Sequence, residues 1–270
     1  MTTEKRHRGR PRNFETSAQG NNIQAVDRAI DVLDVLAAGG AMTLSQIAAE
    51  MDQSPATIYR VLSTFRARNI VSDNEASQTW SIGPEAFRLG AAFLRRSNVT
   101  ERARPLMHKL MELTGETSNL GIETGLQVMF VSQVETHESI RAFFPPGTRA
   151  PMHASGIGKA LLSRFSETRL AKLLAQTQLE RFTPRTIVSA TALHSDLALI
   201  RTRGYAFDDE EKALGMRCIA APILDVHGEA VAGISISGPS QRLPDARIAD
   251  IGAMVNKAAT EVSRGLGAAT

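Results

Sequence analysis

Apolar positions in the first eighty residues recur first at the spacing of helices and then, briefly, at that of strands. Val26, Ile30, Leu33 and Leu36/Ala37 share one helical stripe, with Asp27, Asp31 and Asp34 off it. Gly39-Gly40 closes that helix. Thr43-Leu-Ser-Gln46 is a capping-box pattern that opens a short second helix through Ile47, Ala48 and Met51. Asp52-Gln53 makes a tight turn, and Ser54 followed by Pro55 caps and starts a third helix. On that helix Ile58, Val61, Leu62 and Phe65 form an apolar face. Ala56, Arg60, Ser63 and Thr64 lie opposite, with Thr57 and Tyr59 on the flanks. Ile70-Val-Ser72 and Thr79-Trp-Ser-Ile82 then flank the polar turn Asp73–Gln78 as a hairpin. The order predicts a winged helix-turn-helix over residues 23–83, and EAFRLGAAFLRRS predicts a linker helix within 84–98.

From residue 99 the pattern changes. A helix (ERARPLMHKLMELTG) precedes the β-rich runs SNLGIET, LQVMFVSQVE and IRAFF, which read as a meander of antiparallel strands. PMHASGIGKALL follows, then helical segments near 167–175 and 191–203, the turn GYAFDDEE, the strands RCIAAPILD and AVAGISISG, and a last amphipathic helix opened by Pro244. Strands interrupted by helices predict an α+β domain over 99–270, a mixed, largely antiparallel sheet covered by helices.

Charge adds a nucleic-acid reading. The 270 residues carry a net charge of only +3, but five bases (Lys5, Arg6, Arg8, Arg10, Arg12) face the single acid Glu4 in residues 1–14. This arm, residues 1–22, has little apolar content and is expected to be disordered alone. Its Arg-Gly-Arg-Pro core resembles an AT-hook, which would lay Arg8, Arg10 and Arg12 into a narrow minor groove. A solubilising tail remains the alternative. The third helix suits a recognition helix: Arg60 is placed for a guanine, Ala56 and Thr57 for a thymine methyl, and Tyr59 and Arg66 for phosphates. Thr43, Ser54 and Ser63 complete the expected DNA face. An ordinary three-helix module with a solvated basic face is the alternative.

Enzyme chemistry finds little support. Gly156-Ile-Gly158-Lys159 lacks the spacer and the hydroxyl residue of a P-loop, and His153-Ala-Ser155 is not a nucleophile elbow. His153, His194 and His227 lack metal-ligand spacing. The acid run Asp208–Glu211 fits a solvated turn or a helix start better than a catalytic pair. No metal or cofactor is expected. Cys218, the single cysteine, allows no internal disulfide. It could serve a redox sensor only as an exposed, low-pKa thiolate, and RCIAAP reads as a buried strand. No apolar run is long enough for a membrane helix and no secretory signal is apparent, so a cytoplasmic, nucleoid-associated setting is expected. What remains is a binding site. The amides of a glycine-rich helix start suit a carboxylate, and Ser235 and Ser237 point to one strand face. Gly156 and Gly158 are equally compatible with a bare tight turn. Lys159, one step into the helix, is expected to point away from a ligand.

Taken together, PMHASGIGKALL, GYAFDDEEKALGMRCIAAPILD and AVAGISISGP, behind a winged helix and a linker helix, closely resemble the IclR family of bacterial transcriptional regulators. The resemblance spans roughly residues 23–265. It is greatest to the glyoxylate-responsive members, including those that govern the β-hydroxyaspartate route of glyoxylate assimilation. It implies a profilin/GAF-like effector domain and a regulator rather than an enzyme. It also implies self-association as dimers and dimers of dimers on a double-stranded operator. A small 2-oxo acid effector, glyoxylate first, would be bound non-covalently at Gly156, Ile157, Asp208, Cys218, Ser235 and Ser237, with Met216 as an apolar wall. Ile157 stands where a close relative is expected to have alanine, which would narrow the pocket towards a two-carbon acid.

Overall fold

The computed structural model describes residues 23–97 and 99–268. The chain divides into two units, Met1–Phe93 and Leu94–Thr270. The basic arm, with Arg8, Arg10 and Arg12, lies outside the described residues.

In the first unit α1 (Gln24–Gly39) ends at Gly40, whose φ of 72° needs a glycine. Thr43 and Gln46 form the full capping box of α2 (Leu44–Glu50), and Ser54 caps α3 (Pro55–Arg66) with proline in its first turn. β2 (Val71–Asn74) and β3 (Thr79–Ile82) make the wing hairpin, whose turn is held by Asn74 Oδ1 accepting the Ala76 and Ser77 amides. A two-residue strand, β1 (Met42–Thr43), joins the far edge of β3. It was not foreseen, because two residues carry no period. Val32, Leu36, Ile47, Ile58, Leu62 and Trp80 make the core. The α1 stripe differs from its sequence pattern: Leu36 is buried and Leu33 partly so, but Val32 replaces Val26 and Ile30, each of which is 51 % exposed.

α4 (Pro84–Ser97) runs across the boundary between the units. In the second unit α5 (Val99–Thr114) precedes six strands: β4 (Thr117–Thr124), β5 (Gln127–Val134), β6 (Arg149–Pro151), β7 (Ala206–Asp209), β8 (Met216–Leu224) and β9 (Ala230–Pro239). They pair antiparallel throughout in the order β6-β5-β4-β9-β8-β7. α5 and α9 (Asp245–Gly265) pack on one face through Met107, Leu110, Ile234, Ile236, Val255 and neighbours. α6 (Gly156–Leu162), α7 (Glu167–Gln176) and α8 (Ala190–Arg203) pack on the other through Leu161, Leu170, Leu193, Leu197 and Ala220. Burying each large apolar side chain of this kind contributes about 1.5–3 kcal/mol.

The run IRAFF is not a strand. Pro145-Pro146 follow it, and proline supplies no ladder donor. Phe130 of β5 instead bonds the residues beyond: its amide donates to the Thr148 carbonyl and its carbonyl accepts from Gly147. Phe144 is thereby free to stack on the Phe130 ring at 4.8 Å.

Candidate effector pocket and nucleic-acid interface

The first unit presents α3 much as its periodicity requires. Ala56, Tyr59 and Arg60 are exposed, and Thr57 and Ser63 are half-buried. Two expected contacts already have structural work. Thr43 Oγ1 accepts the Gln46 amide, and Ser54 Oγ accepts the Thr57 amide at 3.2 Å. Tyr59 meets Trp80 of the wing edge to face, and Arg66 Nε pairs with Asp73 of the wing at 2.8 Å, with half its side chain still in solvent. α3 and the hairpin are therefore locked as one body. Arg28 of α1, which periodicity did not single out, lines a groove with Thr57, Arg60 and Thr64. Arg28 adds a cation suited to a phosphate beside the base-reading position of Arg60.

In the second unit Gly156, Ile157, Asp208, Met216, Cys218 and Ser237 line one cavity of about 270 Å³. That is just below the range of about 300–1,000 Å³ for drug-sized ligands. The sheet register explains the convergence. Asp208 pairs with Cys218, and Cys218 pairs with Ser237, so the three lie side by side across β7, β8 and β9. α6 lies over them. Ser155 caps it by accepting the Gly158 amide at 2.9 Å, which leaves the first amides without carbonyls one turn back.

Both glycines serve close approach, since neither has a positive φ. A Cβ on Gly156 would stand 2.7 Å from Cys218 Sγ, and one on Gly158 2.2 Å from the Met152 carbonyl oxygen. Ile157 lines the cavity, but its bulk is partly absorbed elsewhere. Its Cγ2 sits 2.8 Å from where Gly233 would carry a Cβ, and its Cγ2 and Cδ1 crowd Gly121 in the same way. The expected narrowing is correspondingly less.

Ser235 does not line the cavity. It is fully buried behind it, next to Cys218, and its Oγ has no well-formed hydrogen-bond partner. Ser237 Oγ accepts from Asn119 Nδ2 at 3.3 Å, and Asn119 Oδ1 accepts from Gln133 Nε2 at 2.9 Å. The relay orients the Ser237 hydroxyl, which lies against the Cys218 sulfur at the cavity wall. Asn119 and Gln133 escaped the sequence reading because they sit on strands distant in sequence. Phe130, Phe144, Ser155 and Lys212 also line the cavity and were not anticipated; the stacked phenyl rings give it an apolar wall.

The acid run is not a solvated turn, because its four members have separate partners. Asp208 Oδ1 accepts the Glu211 amide at 2.8 Å. Asp209 pairs with Arg217 at 2.7 Å and with Arg185. Glu210, at a φ of 61°, accepts the Gly215 amide at 2.7 Å. Glu211 pairs with Lys159 at 2.5 Å. Thr186 and Thr183 bind the Glu211 and Glu210 carbonyls at 2.6 and 2.8 Å and pin the turn from the segment before α8. Burial pushes the Asp208 carboxyl up to about 6, against the opposing pull of Lys159. Burial, helped by the Asp208 charge, pushes the Cys218 thiol up to about 11. A thiol that stays protonated at neutral pH is a poor nucleophile and a poor redox sensor.

A winged helix in one unit and a small polar-lined cavity in the other define a ligand-responsive DNA-binding protein. The comparisons give the class a family. Residues 25–75 match the IclR helix-turn-helix domain, and residues 91–264 match the bacterial transcriptional regulator IclR C-terminal domain. The HTH-type transcriptional regulator BhcR of Paracoccus denitrificans is 52 % identical over 269 residues, covering 98 % of this chain and 96 % of that one. The HTH-type transcriptional repressor AllR of Escherichia coli is 40 % identical over 266 residues, covering 98 % of each. The crystal structure of the Thermotoga maritima IclR superposes with a TM-score of 0.77 at 29 % identity, covering 90 % of this chain and 99 % of that one. The chain belongs to the IclR family: it is a DNA-binding transcriptional regulator, not an enzyme. Among the described residues no helix is long and apolar enough to cross a membrane.

Proposed function

We infer that this regulator is controlled by a small 2-oxo acid, glyoxylate first, held non-covalently in the second unit's cavity without any cofactor. The observation that carries the reading is the polar set gathered in one cavity, the Gly156 helix start, Asp208, Cys218 and Ser237, with the cations Arg149, Lys212 and Arg217 also in its lining. A carboxylate suits the first amides of α6, and a keto or aldehyde oxygen suits the Ser237 hydroxyl. The motifs that supply these residues resemble those of glyoxylate-responsive members. On the DNA side, α3 with Arg60 and Arg28 would read an operator in the cytoplasm, with the genes of two-carbon metabolism as the targets. Effector binding regulates only through a difference in affinity between the arrangements that do and do not bind DNA. The stacked Phe130 and Phe144 favour a second reading, a larger or aromatic acid.

A thermal-shift screen of small 2-oxo, 2-hydroxy and aromatic acids separates the two, followed by an operator mobility shift with the best binder. Glyoxylate is expected to raise the melting temperature and to change operator affinity. Ser237→Ala is expected to lower its affinity about fivefold to tenfold, the value of one hydrogen bond to a neutral oxygen. Stabilisation by an aromatic acid alone would overturn the assignment, and wild-type affinity in Ser237→Ala would remove that hydroxyl from the site.

A further inference from the structure

Buried charge gathers around Lys159, which the effector reading leaves without a role. Only 1 % of its side chain meets solvent. Its ammonium donates to the Phe207 carbonyl at 2.7 Å and to Glu211 Oε1 at 2.5 Å, and Asp196 Oδ2 lies 2.8 Å away. Two of the ammonium's three N–H bonds are taken by Phe207 and Glu211, and Asp196 adds an ion pair. The three partners come from β7, from the turn after β7 and from α8. Asp208 stands between two of them: Phe207 precedes it, and its Oδ1 accepts the Glu211 amide. The backbone groups that fix Asp208 on the cavity wall are thus fixed in turn by Lys159.

The cluster is also out of charge balance. Asp208 and Glu211 from the β7 turn and Asp196 from α8 face one lysine. Arg203 of α8 reaches only Asp196, at 3.7 Å. Asp209, adjacent on β7, adds a like charge towards Asp208 but is engaged by Arg217 of β8 and Arg185. Cys218 of β8 is a neutral thiol, and Lys212 lies over the Phe182 ring; Arg149 of β6, Lys212 and Arg217 line the cavity that Asp208 lines, on the ligand's side rather than in the Lys159 cluster. With more carboxyls than cations in the cluster, protonating one carboxyl relieves the excess negative charge. Asp208 is pushed up to about 6 and Glu211 to about 7, by burial first, with Lys159 opposing in both cases.

We propose that Lys159 is a positioning residue for effector recognition: it holds Asp208 at the cavity wall and sets its charge, so that the Asp208–Glu211 pair takes up a proton as an anionic ligand is seated. The inference rests on the reading of the cavity as an anion site. A carboxylate placed beside Asp208 is a like charge and favours the protonated form. Once protonated, Asp208 can donate to the ligand instead of repelling it. The proton belongs to the coupled pair rather than to either residue.

The sign follows from linkage. The bound state holds more protons than the free state, so affinity falls as pH rises above the free pair's titration near neutrality, by up to tenfold per unit. Removing the Lys159 charge lets the pair hold its proton to higher pH before any ligand arrives. The fall then begins later, and proton uptake at neutral pH shrinks. Asp196→Asn acts oppositely: with one competing carboxylate gone, Lys159 acts more strongly on the pair, and the fall begins at lower pH. A purely structural lesion has no reason to shift the profile in two directions.

The test is titration calorimetry of the full chain with glyoxylate between about pH 5 and pH 8, in two buffers of different ionisation enthalpy. The wild type is expected to take up a substantial fraction of a proton at neutral pH. Lys159→Met is expected to move the onset of the fall up by about one unit or more, Lys159→Arg to restore it, and Asp196→Asn to move it down. No proton uptake by the wild type, or a pH profile shared by all the variants, would overturn the proposal. Should Lys159→Met fail to fold, the wild-type proton count and the Asp196→Asn shift decide the matter alone. Failure of the wild type to bind any small anion would instead bring down the cavity reading itself.

Discussion

Gly156 and Gly158 are two residues apart on one short helix, and their substitutions should fail differently. A Cβ on Gly158 would meet Met152 backbone at 2.2 and 2.4 Å, and that backbone cannot rotate away. Gly158→Ala is therefore expected to destabilise the second unit by about 2 kcal/mol or more, at the upper end of overpacking costs. A Cβ on Gly156 would meet chiefly the Cys218 sulfur at 2.7 Å. That atom ends a short side chain whose rotation would move it within the cavity. Gly156→Ala is expected to fold but to bind the effector at least tenfold more weakly. Thermal unfolding and calorimetry on both variants check the contrast. Equal melting temperatures, or normal effector affinity in Gly156→Ala, would mean that the helix start shifts freely and the close approach is unimportant.

At the scale of elements, β4, β5, β8 and β9 were legible because apolar and β-branched residues run through them between turn signals. The capping residues Thr43 and Ser54 announced their helices for a local reason: cap chemistry needs only three or four consecutive residues, and Pro244 marks the start of the last helix by its fixed φ alone. IRAFF misled because its composition is strand-like while its fate depends on Pro145-Pro146 and on the partner Phe130. Of the cavity, Gly156, Ile157, Asp208, Met216, Cys218 and Ser237 were reached through the family resemblance, whereas periodicity alone offered only the glycines and the serines. Phe144, Asn119 and the partners of Lys159 are brought in by tertiary pairing that no local pattern encodes. The recognition helix belongs to the legible part, and its prediction follows from its exposed face. Arg60 has no ion-pair partner among the described residues and stands clear of the core. Arg60→Ala should cost about 1–3 kcal/mol of specific operator binding and relax preference at one base pair. A mobility-shift titration against operator and non-operator duplexes checks it. Equal losses on both would make Arg60 a phosphate contact instead.

At the scale of the whole molecule, the exposed half of the α1 stripe asks what covers it. Ile23, Val26 and Ile30 are 68 %, 51 % and 51 % exposed and follow one another at helical spacing. Contiguous exposed apolar surface of this kind marks association sites. The family resemblance points to a second copy meeting the first through the DNA-binding units. Two half-sites about one helical turn apart then require two α3 helices held in register. Pairing makes the second half-site contact intramolecular, a gain of about a hundredfold or more in avidity. Ile30→Glu places a charge at the C-terminal end of the exposed stripe without replacing any residue of α3 or the buried residues Val32 and Leu36. Operator affinity should therefore fall by about a hundredfold, with single-half-site binding, the fold of the unit and effector affinity unchanged. Light scattering should record a smaller particle, unless the second units hold copies together, in which case the operator titration alone carries the result. Undiminished affinity for a two-half-site operator in Ile30→Glu would mean that α1 is not the contact between copies.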